Sequence, residues 1–145
     1  TLVSIADRPG IAAAIFGLLS DAGINVDMII QNISEAGRTD MTFSCPIDQV
    51  SKAEKSLNNA KKEGLINFQD LLADKNVAKI SAVGIGMRSQ SGVAAKMFKT
   101  LSDEGINIKV IATSEIKISV LVDRKYLELA VQSLHDAFEL DQISS

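Results

Sequence analysis

Two aspartates carry the clearest chemical potential in this chain. Asp7 follows a short apolar run, Leu2 to Ala6, and opens the segment Asp7-Arg8-Pro9-Gly10; Asp27 follows Gly23-Ile24-Asn25-Val26. A helix beginning after Pro9 would offer free backbone N–H groups and the positive end of its dipole, which suits a carboxylate. An acidic side chain close by suits an ammonium group. Both acids are expected near the start of that helix, where one site would match the two ends of a free α-amino acid. The plainer reading makes Asp7 a turn residue and Asp27 a surface group. The local pattern alone favours the plainer one.

The remaining candidates read more simply as structure. Gly84-Ile85-Gly86 follows a strand and precedes a helix, but the third glycine of a dinucleotide fingerprint would fall at Ser89 and no parallel βαβ unit follows. Cys45 sits in an alternating apolar stretch, as a core residue would. His135 falls on the polar side of the last helix. Asn32-Ile33-Ser34 matches a glycosylation sequon that a cytoplasmic chain never exposes to that machinery. Met28, Met41, Met87 and Met97 fall at core spacings, and Lys52, Lys55, Lys61 and Lys62 form a solvated helix face.

Composition narrows the classes further. The 145 residues hold 15 Lys+Arg against 18 Asp+Glu, a formal charge of −3, and only 4% aromatics, so a nucleic-acid partner is not expected. A single Cys excludes an internal disulfide, and a single His excludes a His-rich metal site; no metal is expected. The longest apolar stretch, Ile11 to Leu19, is far short of the roughly 20 residues of a membrane span. No basic-then-apolar leader opens the chain, so a cytoplasmic location without membrane attachment is expected. The chain begins on Thr1 rather than Met, as a piece of a longer protein would.

The elements that must position the two acids come in duplicate. Gly10 to Asn25 returns as Gly92 to Asn107 at a constant offset of 82, with ten of sixteen positions identical. The chain therefore holds two copies of one unit, 1–76 and 77–145. Units so small are expected to pack against each other. In the first copy Leu2 to Ala6 predicts a strand, and Ile11, Ile15, Leu18, Leu19 and Ala22 form a helical stripe that Gly23 ends. Asn25 to Ile33 and Thr39 to Cys45 predict two strands joined by a loop at Glu35 to Arg38. A helix from Val50 to Lys62 is expected to be capped by Asp48 or Ser51, and Asn67 to Leu72 predicts a fourth strand. The order is βαββαβ, an α+β ferredoxin-like unit with an antiparallel sheet.

The second copy predicts strands at Ala78 to Val83, Asn107 to Ser114 and Lys117 to Val122, with a helix from Gly92 to Glu104. Ile116, Ile118, Val120 and Val122 are expected on one face. Asp123 is expected to cap a last helix with a stripe of Leu127, Ala130, Val131, Leu134 and Phe138. Too little chain follows for a fourth strand, so the second unit lacks one; it would come from upstream sequence or from another chain. At the offset of 82, Asp7 corresponds to Ser89, Pro9 to Ser91 and Asp27 to Lys109. The apolar frame is kept and both acids are lost, which duplication for packing alone does not require.

The segments Ile5-Ala-Asp-Arg-Pro-Gly10, Asn25-Val-Asp-Met-Ile-Ile-Gln-Asn-Ile-Ser34, Thr39-Asp-Met-Thr-Phe-Ser-Cys-Pro46 and Thr113-Ser-Glu-Ile-Lys-Ile-Ser-Val-Leu-Val122 resemble the regulatory region of bacterial aspartate kinases. That region is a tandem of ACT domains at the enzyme's C-terminus, and some bacteria also make it separately as a small β subunit. The resemblance implies two ACT units with sheets packed side by side. It implies feedback inhibition of lysine, threonine and methionine synthesis by bound lysine and/or threonine. Effectors would sit where ACT units pair, within or between chains, so a homodimer is expected. By motif, Asp7, Gly10, Ile11, Ala12, Asp27 and Gln31 would line a pocket with Asn107 and Ile108. Asn32, Ser34, Ser114 and Glu115 would belong to the same or a related interface. Asp27 would meet the effector ammonium and Gln31 its side chain, with backbone groups around Gly10 to Ala12 and Asn107 to Ile108 taking the carboxylate.

In the family, the strand completing the second unit comes from just before the first. The partner implied is the catalytic domain or α subunit of the kinase, to which ATP and Mg belong; this chain is expected to hold no cofactor and no catalytic residue. Two other classes stay open on the residues alone. A small ferredoxin-like acyl-phosphate hydrolase would need an Arg loop, with Arg8 as candidate, and a paired Asn. A ligand-free dimerisation module would need neither.

Overall fold

The computed structural model describes residues 1–33, 37–83, 90–114 and 117–144, with residues 33, 90, 91 and 139–144 described by backbone alone. Contacts divide the chain into Thr1–Lys75 and Asn76–Ser145. The first unit runs β1 (Leu2–Ala6), α1 (Ile11–Asp21), β2 (Ile29–Ile33), β3 (Arg38–Phe43), α2 (Val50–Lys62) and β4 (Asp70–Leu71). Its antiparallel sheet has the order β2-β3-β1-β4. Leu2, Ile5 and Met41 from the sheet meet Ile11, Ile15 and Leu19 of α1 and Ala53, Leu57 and Ala60 of α2 in one core, so both helices cover the same face. This is the predicted βαββαβ unit.

The second unit runs β5 (Val77–Val83), α3 (Gln90–Asp103), β6 (Ile108–Thr113), β7 (Lys117–Asp123) and α4 (Leu127–Ser144). Its antiparallel sheet has the order β5-β7-β6, three strands among the described residues. Ile118, Val120 and Val122 of central β7 pack with Met97 and Leu101 of α3 and Ala130 and Leu134 of α4. Ile116 lies outside the described residues.

The repeat reproduces helix endings down to single hydrogen bonds. Gly23 has φ 78°, its N–H donates to the Ser20 carbonyl, and the Ile24 N–H reaches back to the Leu19 carbonyl at 2.9 Å. Gly105, Ser102, Ile106 and Leu101 make the same pair of bonds. This six-to-one, five-to-two pattern requires a left-handed residue after the helix, which glycine adopts without steric cost.

Several expectations are corrected. β2 begins at Ile29 rather than Asn25, and β4 is confined to Asp70–Leu71, although Gln69 N–H to Val3 and Leu72 N–H to Thr1 extend its pairing. Neither Asp48 nor Ser51 caps α2: a 3-10 turn, Ile47–Gln49, leads into it, and that turn removes the need for a side-chain cap. Asp123 accepts from the Lys125 N–H at 3.2 Å and so caps a 3-10 turn, Arg124–Tyr126, ahead of α4. Val131 is exposed instead of packing inward: the buried stripe runs through Leu127, Ala130, Leu134 and Phe138, and Val131, one residue on from Ala130, turns away from it.

Candidate functional site

The start of α1 is built from the loop after β1. Ala6 pairs with Arg38, and the Asp7 N–H donates to the Gly37 carbonyl at 2.9 Å, tying the loop to the turn between β2 and β3. Gly10 has φ 88° and no side chain caps the helix behind it. The Ile11 N–H turns back to the Arg8 carbonyl at 3.3 Å, and the Ala14 N–H reaches Gly10 at 3.0 Å. The N–H groups of Ala12 and Ala13 form no hydrogen bond among the described residues. Asp7, Gly10 and Ala12 are exposed, whereas Ile11 is buried in the core. An uncapped helix start with an adjacent exposed carboxylate can receive both ends of an amino acid.

Asp27 lies elsewhere. Its N–H donates to the Ser44 carbonyl, the Ser44 N–H donates to the Met28 carbonyl, and the Met28 N–H donates to Ser44 Oγ, each at 2.9 Å. Asp27 and Met28 thus share one partner, a bulge, before regular pairing resumes at Ile29 with Phe43. Ser44 lies past the end of β3 that is remote from Arg38, and β3 stands between β1 and β2. At about 3.3 Å per residue, Asp7 and Asp27 are separated by roughly 20 Å along the sheet. The expectation that both acids lie near the start of α1 is therefore corrected: Asp7 does, and Asp27 sits at the opposite end, near Asn25, whose N–H is held by Gln49 Oε1 at 2.7 Å.

Gln31 pairs with Met41 and so stands on the helix-covered face of β2, at its exposed edge. Asn32 pairs with Asp40 on the opposite face, at the Asp7 end; its carbonyl accepts from the buried Thr39 hydroxyl at 2.8 Å. In the second unit, Asn107 and Ile108 line a shallow depression of about 400 Å³ with Phe98, Ser102, Gly105 and Ile106. Ser114 donates its N–H to the Lys117 carbonyl at 2.8 Å across the turn from β6 to β7. Ser34, Glu115, Ser89, Met87 and Gly84-Ile85-Gly86 lie outside the described residues.

The bland readings find their places. Met28, Met41 and Met97 are buried; Lys52, Lys55, Lys61 and Lys62 are exposed, Lys61 with its Nζ 4.6 Å above the Phe68 ring. His135 is exposed on α4. Cys45 is half-buried against the first core, and burial, aided by Asp48, pushes its thiol up, which disfavours the reactive thiolate. No group of three His, Cys, Asp or Glu among the described residues is placed to hold a metal, and no described helix is long and apolar enough to cross a membrane. Ser4, Arg38, Asp40 and Ser44 join the candidates only in the structure. The available signal was the three-residue spacing of Leu2 and Ile5, which a regular strand cannot bury on one face.

Comparison with known proteins fits both units. Residues 1–61 and residues 80–138 each match a family model of the ACT domain. The chain is 50% identical over 141 residues to an aspartate kinase of Pseudomonas fluorescens, covering 97% of this chain and 34% of that protein. An aspartokinase of Helicobacter pylori is 49% identical over 142 residues, covering 98% and 34%. The chain thus spans about a third of the length of these curated relatives. Among solved structures, that of aspartokinase alpha and beta subunits superposes with a TM-score of 0.81 at 47% identity, covering 95% of this chain and 89% of that one. The ligand-free regulatory subunit of aspartate kinase from Thermus thermophilus gives 0.81 at 41% identity, covering 94% and 89%.

Proposed function

Because the chain belongs to the ACT-domain regulatory region of aspartate kinases, we propose that it binds the end-product amino acids lysine and/or threonine and lowers the activity of a kinase catalytic part. The phosphoryl transfer to aspartate, with its ATP and Mg, belongs to that catalytic domain or α subunit. An effector coupling of about 1–3 kcal/mol is enough to shift such an enzyme between active and inhibited arrangements.

The observation that carries this reading is the uncapped start of α1 beside exposed Asp7. The free N–H groups of Ala12 and Ala13 suit an effector carboxylate; Gln31, on the helix-covered face of edge strand β2, suits a polar contact to an effector side chain, and Asn32, on the other face, belongs to a related interface. Asn107 and Ile108 offer a further set of backbone groups at their depression. Asp27 keeps the ammonium role in this proposal, with a condition that follows from its place. The start of its own α1 is roughly 20 Å away, so groups from elsewhere, in this chain's second unit or in a second copy, complete its site, in a cytoplasmic homodimer.

Calorimetric titration of the chain with lysine and threonine, singly and together, tests the proposal. Saturable binding of at least one is expected. A folded dimer that binds neither would sink it.

A further inference from the structure

β1 carries a feature that its counterpart does without. Leu2 pairs with Met41 and Ile5 with Thr39, so Val3 and Ser4 together face Asp40. Ser4 has φ 58°, a left-handed conformation that costs an L side chain steric energy. The extra residue allows Leu2 and Ile5, three apart, to be fully buried on the same face. β5 pairs with β7 from Val77 to Val83 without a break. The fold itself therefore does not require this bulge.

Side chains of β3 engage every polar atom of Ser4. Its N–H donates to Asp40 Oδ1 at 2.8 Å, its Oγ accepts from Arg38 Nε at 2.9 Å, and its carbonyl accepts from Arg38 Nη2. The shifted half of β1 is the half that leads to Asp7: Ile5 to Thr39, Ala6 to Arg38, then the Asp7 N–H to Gly37. We infer that Arg38 and Asp40 are positioning residues for the effector loop: by clamping Ser4 they set the register that delivers Asp7 and the start of α1. This rests on the effector-binding reading above.

Amide hydrogen exchange of the unliganded chain reports loop placement without an effector, and titration with lysine and threonine reports binding. Asp40→Ala is expected to speed exchange at the Asp7 N–H about tenfold and to weaken binding about tenfold. Asp40→Asn keeps an oxygen for the Ser4 N–H and is expected to stay near the parent. Adding Ser4→Gly to Asp40→Ala is expected to restore both readouts, because glycine adopts φ 58° freely; a general loss of packing would not be rescued this way. Unchanged exchange at Asp7 overturns the clamp, and faster exchange with unchanged affinity overturns its part in binding. A parent chain that binds neither amino acid overturns the effector reading, while the exchange data still decide the clamp. Should Asp40→Ala fail to fold, Arg38→Lys, which loses the guanidinium fork, carries the same expectations.

Discussion

Asp27 and Lys109 occupy the same bulge in the two units, with opposite charge. Asp27 is the residue by which β2 exceeds its partner at Ser44, and Lys109 is the residue by which β6 exceeds β7 between the Ile108–Val122 and Val110–Leu121 pairs. Duplication kept the backbone irregularity and changed the side chain that it presents, along with the partner, Ser44 in one copy and Leu121 in the other. A bulge re-aims one side chain at the edge of a sheet, and here the two copies aim an acid and a base.

An exposed acid at a bulge is expected to matter for ligands and little for stability. Asp27→Ala should weaken binding of lysine or threonine more than about tenfold while leaving unliganded stability within about 0.5 kcal/mol. Calorimetry beside a thermal melt checks this. A clear fall in Tm with binding retained would return Asp27 to a structural role.

Gly10 tests the start of α1. A Cβ there meets open space, but the backbone has φ 88°, so Gly10→Ala is opposed by conformation alone. A loss of about 1–2 kcal/mol is expected, read as a lower denaturation midpoint. Effector binding should weaken with it, since the loop leading to the Ala12 and Ala13 N–H groups must rearrange.

Thr39 is fully buried and its hydroxyl donates to the Asn32 carbonyl at 2.8 Å. Thr39→Val keeps the shape and removes the donor, so a cost of about 1–3 kcal/mol is expected from the carbonyl left without it. Denaturant unfolding measures the cost. Faster hydrogen exchange along β2, the strand that carries Gln31 and Asn32, should accompany it.

Cys45 makes a pH-dependent prediction. Burial first, then Asp48, raises its thiol, so the folded chain favours the neutral form. Its contribution is intact below the ordinary thiol pKa and is lost as pH rises through the higher folded value, where the unfolded chain has already released its proton. Alkylation by a thiol reagent near pH 8 should therefore be slower than for an unfolded control, and Asp48→Asn should accelerate it modestly.

Local features of the residues settled much of this fold. Apolar spacing marked α1, and Gly23 marked its end, because these depend on neighbours within a turn. The repeat disclosed two units, and the motifs disclosed their family. Neither expected cap of α2 forms, because a 3-10 turn can replace a side chain, and no local pattern distinguishes the two outcomes.

The chain's own pattern settled which residues are core, how many units there are, and that Asp7 and Asp27 are the acids the second copy lacks. Tertiary structure alone decided that these acids stand at opposite ends of one sheet. Strand order and register come from pairing between segments far apart in the chain, and β3 enters between β1 and β2 only once the sheet forms. The same holds for Ser4: its bulge exists because Leu2 and Ile5 are both drawn into one core while Arg38 and Asp40 hold the residue between them.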